Sequence, residues 1–265
     1  MGDFLLDVDS RWVALGLALL MALTLEAGYR LGRRHHGQVA EAARSQIGAI
    51  QGATLGLLAL LLGFTFSLAL ERHDDRSRAL GAEANALGTA WLRSGLLPES
   101  LRADTQSRLA AYIRQRIEST GLPQSEHARH AELARREAAM QAELWRLSVA
   151  AAVPQSGLDP QIAAIYVEAV NDAIDAHGVH EAASARHVPP VVLLLLLLSF
   201  GLAGSIVGYA SGVHGHRGLV SNTLMLGLIT VLVYLIVDLD RPRRGLITVD
   251  PAAMQQLEAL LPPAR

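Results

Sequence analysis

The chain has 265 residues, 51% of them hydrophobic and 18% charged, with a formal net charge of -2 and a mean hydropathy of +0.28. That charge offers no basic field to a nucleic acid, and apolarity gathered into long Leu, Ala and Val runs suits a bilayer better than a soluble domain. Cysteine is absent, which excludes disulfides, thiolate metal sites and Cys nucleophiles.

The first apolar stretch, Trp12 to Gly32, is long enough at about 1.5 Å per residue to cross a hydrocarbon core of about 30 Å. Asp3, Asp7 and Asp9 precede it, so the basic leader of a cleavable signal peptide is missing and the segment reads as an anchor. It carries Glu26, placed to face a water-filled cavity or to reach back to the interface. The second span, Ala49 to Leu70, is free of charge, and Gly52, Gly56 and Gly63 leave room for another helix. Val191 to Ala210 follows Pro189 and Pro190, which suit a helix start. Leu219 to Val237 follows a turn through Gly212, His214, Gly215, His216 and Gly218, so spans three and four form a tight helical hairpin.

Between spans two and three, Ala, Glu, Arg and Leu dominate without strand-like alternation, which predicts three or four helices. The first continues span two, with Leu80, Leu87 and Trp91 on one face, and stops at Pro98. A second, from Glu99 to about Ser119, carries Leu101, Leu109, Ile113 and Ile117 on a stripe and ends at Gly121 and Pro123. Ser125 is positioned to cap a third that runs to about Ala152. After a linker over Val153 to Pro160, Asp159 and Pro160 make an N-cap and first-turn pair for a fourth. The expectation is an all-α membrane protein: residues 1–70 hold two spans, 71–187 a helical soluble region, 188–240 spans three and four, and 241–265 a tail with a short Leu-rich helix ending near Pro262.

Only Arg residues flanking short loops bear on orientation. With the ends cytoplasmic, Arg11, Arg72, Arg76, Arg78, Arg186, Arg241, Arg243 and Arg244 lie inside, against Arg30, Arg33, Arg34, Arg44 and Arg217 outside. The balance favours cytoplasmic termini and a cytoplasmic helical region.

No phosphate loop, nucleophile elbow or HExxH pair is present, so no enzyme chemistry is expected and no cofactor is implied. His177 and His180 with Glu181 have the spacing to offer a metal two imidazoles and a carboxylate, but a solvated helical face accounts for them more simply. His35 with His36, and His214 with His216, fall in interfacial turns where solvation is again the simpler reading.

The most informative stretch runs from Leu62 to Arg72. Gly56, Leu60, Phe64, Ser67 and Glu71 recur every three or four residues and share one helix face. In a symmetric ring that face would line a pore, with Leu60 and Phe64 as an apolar constriction and Ser67 and Glu71 as a polar mouth. A packed bundle is the alternative, with Phe64 and Phe66 against neighbouring spans and the glycines easing helix contact.

The run Leu62-Gly63-Phe64, then Leu68, then Arg72, resembles the neck helix of the bestrophin channels, and four spans with a helical insertion after the second are similar too. Ser45 to Leu97, with Ser45-Gln46, Gln51-Gly52, Gly63-Phe64-Thr65-Phe66-Ser67, Glu83-Ala84-Asn85-Ala86 and Gly88-Thr89-Ala90, resembles a bacterial bestrophin-like family. The resemblance implies a homo-oligomer, pentameric in bestrophins, in the bacterial plasma membrane. It implies passage of small inorganic ions, with Phe64, and Leu60 less directly, as gating residues. Gly56 stands where the neck has a bulky apolar residue, His73-Asp74 replace an aromatic pair, and no acidic calcium clasp is evident, so calcium gating is not implied. Rival expectations are a membrane scaffold or sensor whose helical region binds a partner protein, and a membrane enzyme that would bring Glu26, His177 and His180 into one cavity.

Overall fold

The computed structural model describes residues 10–122, 126–241 and 246–261. Every regular element among them is helical: α1 (Ser10–Arg34), α2 (Glu41–Ser94), α3 (Glu99–Gly121), α4 (His127–Ala152), a 3-10 turn at Pro154–Ser156, α5 (Pro160–Ala185), α6 (Pro190–His214), α7 (Leu219–Leu239) and α8 (Ala252–Ala259). Four helical stretches are long and apolar enough to cross a membrane, and they coincide with the four apolar runs. The protein is thus an all-α, multi-pass membrane protein with a helical region inserted between spans two and three. The expected Ser125 cap, the Pro123 and Pro262 stops, and Arg243 and Arg244 lie outside the described residues.

Local chemistry explains most boundaries. Asp159 accepts a hydrogen bond from the Gln161 amide at 2.7 Å, and Pro160 occupies the first turn of α5. Gly157 precedes it in the left-handed region at φ 70° and closes the 3-10 turn. At the C-terminus of α6, Gly215 takes φ 76°, where a Cβ would be strained, and its amide donates to the Gly212 carbonyl.

The chain forms two compact units, Met1–Arg72 with His187–Ile247, and His73–Arg186 with Thr248–Arg265. In the first, α1 lies against α6 and α7. Buried Leu17, Met21, Leu58, Leu62, Phe200, Val207, Val233 and Ile236 make its core. The α1–α6 contact is made by backbone: a Cβ added at Gly28 would collide with the Ser205 carbonyl oxygen, and one added at Gly208 with the Leu25 carbonyl oxygen. Small residues on both helices let the backbones approach this closely. Within the protomer, Gly52, Gly56 and Gly63 of span two have nothing within 4 Å of where a Cβ would stand.

The second unit packs the rest of α2 with α3, α4, α5 and α8. Leu80, Leu87, Leu109, Ile113, Leu144, Tyr166, Val170, Met254 and Leu257 form its core, with Trp91, Leu101 and Ile117 partly buried against it. The C-terminal helix α8 is part of this core, seating Met254 and Leu257 in it.

Candidate functional site

Two features stand out, and they lie in different units. The first is the unpartnered face of α2. Leu58, Leu62, Thr65 and Ala69 are buried in the first unit's core. They recur every three or four residues, so they form one stripe of the helix. On the other side, Gly56, Leu60, Phe64, Ser67 and Glu71 are all exposed. Leu60 keeps 56% and Phe64 67% of its surface, and Phe66 keeps 36%. The packed-bundle alternative places the Phe64 and Phe66 rings against neighbouring spans; within the protomer Phe64 stays exposed, while Phe66 is partly covered. A helix needs one apolar face to join a core; here the second face is apolar as well, with a hydroxyl and a carboxylate at its C-terminal end.

The buried Thr65 hydroxyl needs no distant partner, since it donates to the Leu61 carbonyl at 2.7 Å. Ser67 and Glu71, by contrast, present their polar groups on the exposed face.

The second feature is a buried charge cluster in the soluble unit. Arg116 on α3 is 1% exposed and Glu83 on α2 is fully buried. Arg116 Nε donates to Glu83 Oε1 at 2.6 Å and Nη2 to Oε2 at 3.0 Å, the two-pronged geometry that guanidinium and carboxylate share. Nη1 donates to both oxygens of Glu137 on α4 at 3.1 Å and to Ser119 Oγ at 2.8 Å. From α5, His180 Nδ1 faces Glu83 Oε2 within hydrogen-bond reach. A carboxylate oxygen accepts only, so this ring nitrogen carries the proton and donates. His177 Nδ1 stands 3.4 Å from Glu83 Oε1, an ion-pair separation without an aligned hydrogen bond.

Burial alone would raise the Glu83 pKa. The neighbouring His177 and His180 imidazoles and the Arg116 guanidinium outweigh it and hold the carboxyl well below the ordinary 4.5. Burial likewise works against the Arg116 charge, and Glu83 and Glu137 more than offset it, raising its pKa. A carboxylate with a depressed folded pKa adds stability above its unfolded pKa and loses it as pH falls through the folded value. Acid titration should therefore destabilise the soluble unit progressively below about pH 4.5. Thermal unfolding followed between about pH 7 and pH 3 should show a smaller decline in Glu83→Gln than in the natural chain; equal declines would remove Glu83 from the account.

The structure corrects the reading of His177 and His180 as a solvated face: His180 is buried, His177 half-buried, and the carboxylate between them is Glu83 rather than Glu181. Glu181 is half exposed and approaches Arg116 only at 3.9 Å. Among the described residues no set of three His, Asp or Glu side chains is placed to hold a metal ion. Glu26, the third member of the enzyme alternative, belongs to the other unit, where Arg30 donates to it at 2.8 Å and Arg217 lies 3.7 Å away. The four turn histidines bond to nearby carbonyls, His36 to Val213 and His214 to Ala210 among them.

Sequence reasoning missed Arg116 and Glu137 altogether and had Glu83 only as part of the Glu83-Ala84-Asn85-Ala86 motif. The available signal was that motif's charge at a core-facing position: Glu83 lies three residues after Leu80 and four before Leu87, both buried.

The family model described as the bestrophin-like domain matches residues 18–254. No curated protein matches at a significant level. Among solved structures, a variant of a bacterial bestrophin homologue from Klebsiella pneumoniae superimposes with a TM-score of 0.68 at 14% identity, covering 92% of this chain and 94% of that one. A second variant of that homologue gives 0.66 at 15%, with 92% and 97% covered. A structure described as a membrane protein gives 0.66 at 16%, with 95% and 97% covered. At these identities the likeness speaks for the fold.

Proposed function

Because the chain belongs to the bestrophin-like family, we propose that it works as a homo-oligomeric ion channel or permeation protein of the bacterial plasma membrane, with α2 lining the pathway. The observation that carries this reading is the row Gly56, Leu60, Phe64, Ser67 and Glu71, exposed on a helix whose other stripe is buried. One protomer cannot enclose a pathway with a single helix face. Copies arranged around an axis, five by resemblance to bestrophins, would turn the row into stacked rings. Leu60 and Phe64 would then form an apolar constriction that stays dry when narrow. Ser67 and Glu71 would form a polar mouth, and a ring of Glu71 carboxylates opposes anions there. The excess of Arg beside the cytoplasmic loops supports termini and helical region on the cytoplasmic side.

The direct test is conductance of the purified protein in a planar bilayer, natural chain against Phe64→Ala. Discrete unitary currents that grow, or lose their closures, in the variant are expected from a constriction at Phe64. Silence from well-folded oligomers would overturn the pore reading and favour a scaffold whose helical region binds a partner protein.

A further inference from the structure

We propose that His177 is a proton-operated latch, which holds α5 to α2 when its imidazole is charged and releases that hold when the proton leaves. The argument starts from charge. Glu83 and Glu137 are buried carboxylates, and Arg116 is the one buried cation between them. Without a contribution from the imidazoles the cluster holds one uncompensated negative charge. An unbalanced charge removed from water costs several kcal/mol by general solvation arguments. Imidazole is the side chain whose charge ordinarily changes near neutral pH.

Of the two histidines, geometry selects His177. The His180 ring already donates to Glu83 through Nδ1, and that bond exists whether the ring is neutral or charged. His180 is thus a positioning residue that orients the carboxylate. His177 sits one helical turn earlier at the rim, with 15% of its side chain open to solvent, a route for the proton. Its Nδ1 is buried, has no hydrogen-bond partner and lies 3.4 Å from Glu83 Oε1. Charging the ring puts an N–H and a positive charge against that oxygen, and the buried set then sums to zero. Loss of the proton leaves the imidazole beside an anion with one cation shared between two carboxylates.

The group that faces His177 is Glu83 from α2, and the rest of the cluster is gathered around Glu83 and Arg116: Arg116 and Ser119 from α3, Glu137 from α4, and His180 and Glu181 from α5. Glu181 is half exposed at the rim and lies 3.9 Å from Arg116. The contact it controls links α5 to α2 across 94 positions of sequence, a pairing that no local helical bond can replace. This inference stands apart from ion conduction and does not need a pore.

Hydrogen–deuterium exchange of the full chain in lipid nanodiscs tests it without reference to current. Protection of α5 amides should fall about tenfold between roughly pH 5.5 and pH 8 once the intrinsic pH dependence of exchange is divided out. Protection of α6 amides should not follow that step. His177→Gln, a rim substitution, should abolish the pH step, and Glu83→Gln should flatten it independently by removing the excess charge. A natural chain whose α5 protection does not change with pH would overturn the latch, and so would a step that survives in His177→Gln.

Discussion

Arg116→Ala is expected to cost about 3–5 kcal/mol, enough to abolish the cooperative unfolding of the soluble unit, because it leaves Glu83 and Glu137 buried without their cation. The size follows from an asymmetry. A complete buried ion cluster adds little net stability, since desolvation cancels most of its attraction, but a cluster missing one member retains the desolvation cost in full. Arg116→Lys should fall between the two, as an ammonium restores the charge without the fork that meets both oxygens of Glu83. Thermal unfolding by circular dichroism in detergent, with limited proteolysis between Glu71 and His187, would measure the loss. If Arg116→Ala melted within about 1 kcal/mol of the natural chain, the cluster would have no structural role of this kind.

Gly208→Val should produce the largest effect in the membrane unit. The position of its Cβ is already occupied by the Leu25 carbonyl oxygen, which is backbone and cannot rotate away. The two helices would have to separate along their length, opening the neighbouring approaches at Gly28, Gly32 and Gly212. Overpacking of a rigid contact costs about 1–3 kcal/mol, and a backbone clash belongs at the upper end. Gly16→Ala on the facing helix α1 is the control: nothing stands within 4 Å of its Cβ, and the better helix propensity of Ala makes it neutral or slightly stabilising. Thermal aggregation midpoints of the purified variants would separate them. A Gly208→Val protein as stable as Gly16→Ala would mean that α1 and α6 are not packed this closely.

The spans and the helical insertion were legible because each is written in consecutive residues. A charge-free run such as Ala49 to Leu70 admits one physical interpretation, and Asp159 followed by Pro160 marks a helix start without knowledge of anything distant. Faces were legible for the same reason: Leu80 and Leu87 are buried as their spacing predicts, and Leu109 and Ile113 likewise. The exposed row on α2 could be drawn from periodicity, although which of its two apolar stripes meets the core could not. Leu58 and Leu60 are the same residue type, and only tertiary packing distinguishes 1% from 56% exposure.

The charge cluster was illegible for a different reason. Arg116 meets Glu83 across 33 positions and Glu137 across 21, and His180 meets Glu83 across 97. Pairings over such separations depend on the register between helices, which hydrophobic spacing fixes only to within a turn. An Arg, a Glu and a His in a charged helical stretch are ordinarily solvated, so composition argued for the surface. Glycine contacts depend on tertiary packing in the same way: within the protomer the close approach belongs to Gly28 and Gly208, whose helices are far apart in the chain, and not to Gly52, Gly56 and Gly63.

The α1–α6 contact also sets a schedule for biogenesis. Its two glycines are separated by about 180 residues, and at synthesis rates of roughly 5–20 residues per second the first helix waits about 10–40 s in the membrane before its partner is made. During that interval the glycine face of α1 is covered only by lipid, or by whatever membrane-insertion factor holds it. The soluble unit's residues up to Arg186 are synthesised before α6 begins, and its last helix, α8, only after α7. Slowed elongation between those two helices should therefore lengthen the life of a half-assembled chain, and span one would be the first segment lost to quality-control proteolysis.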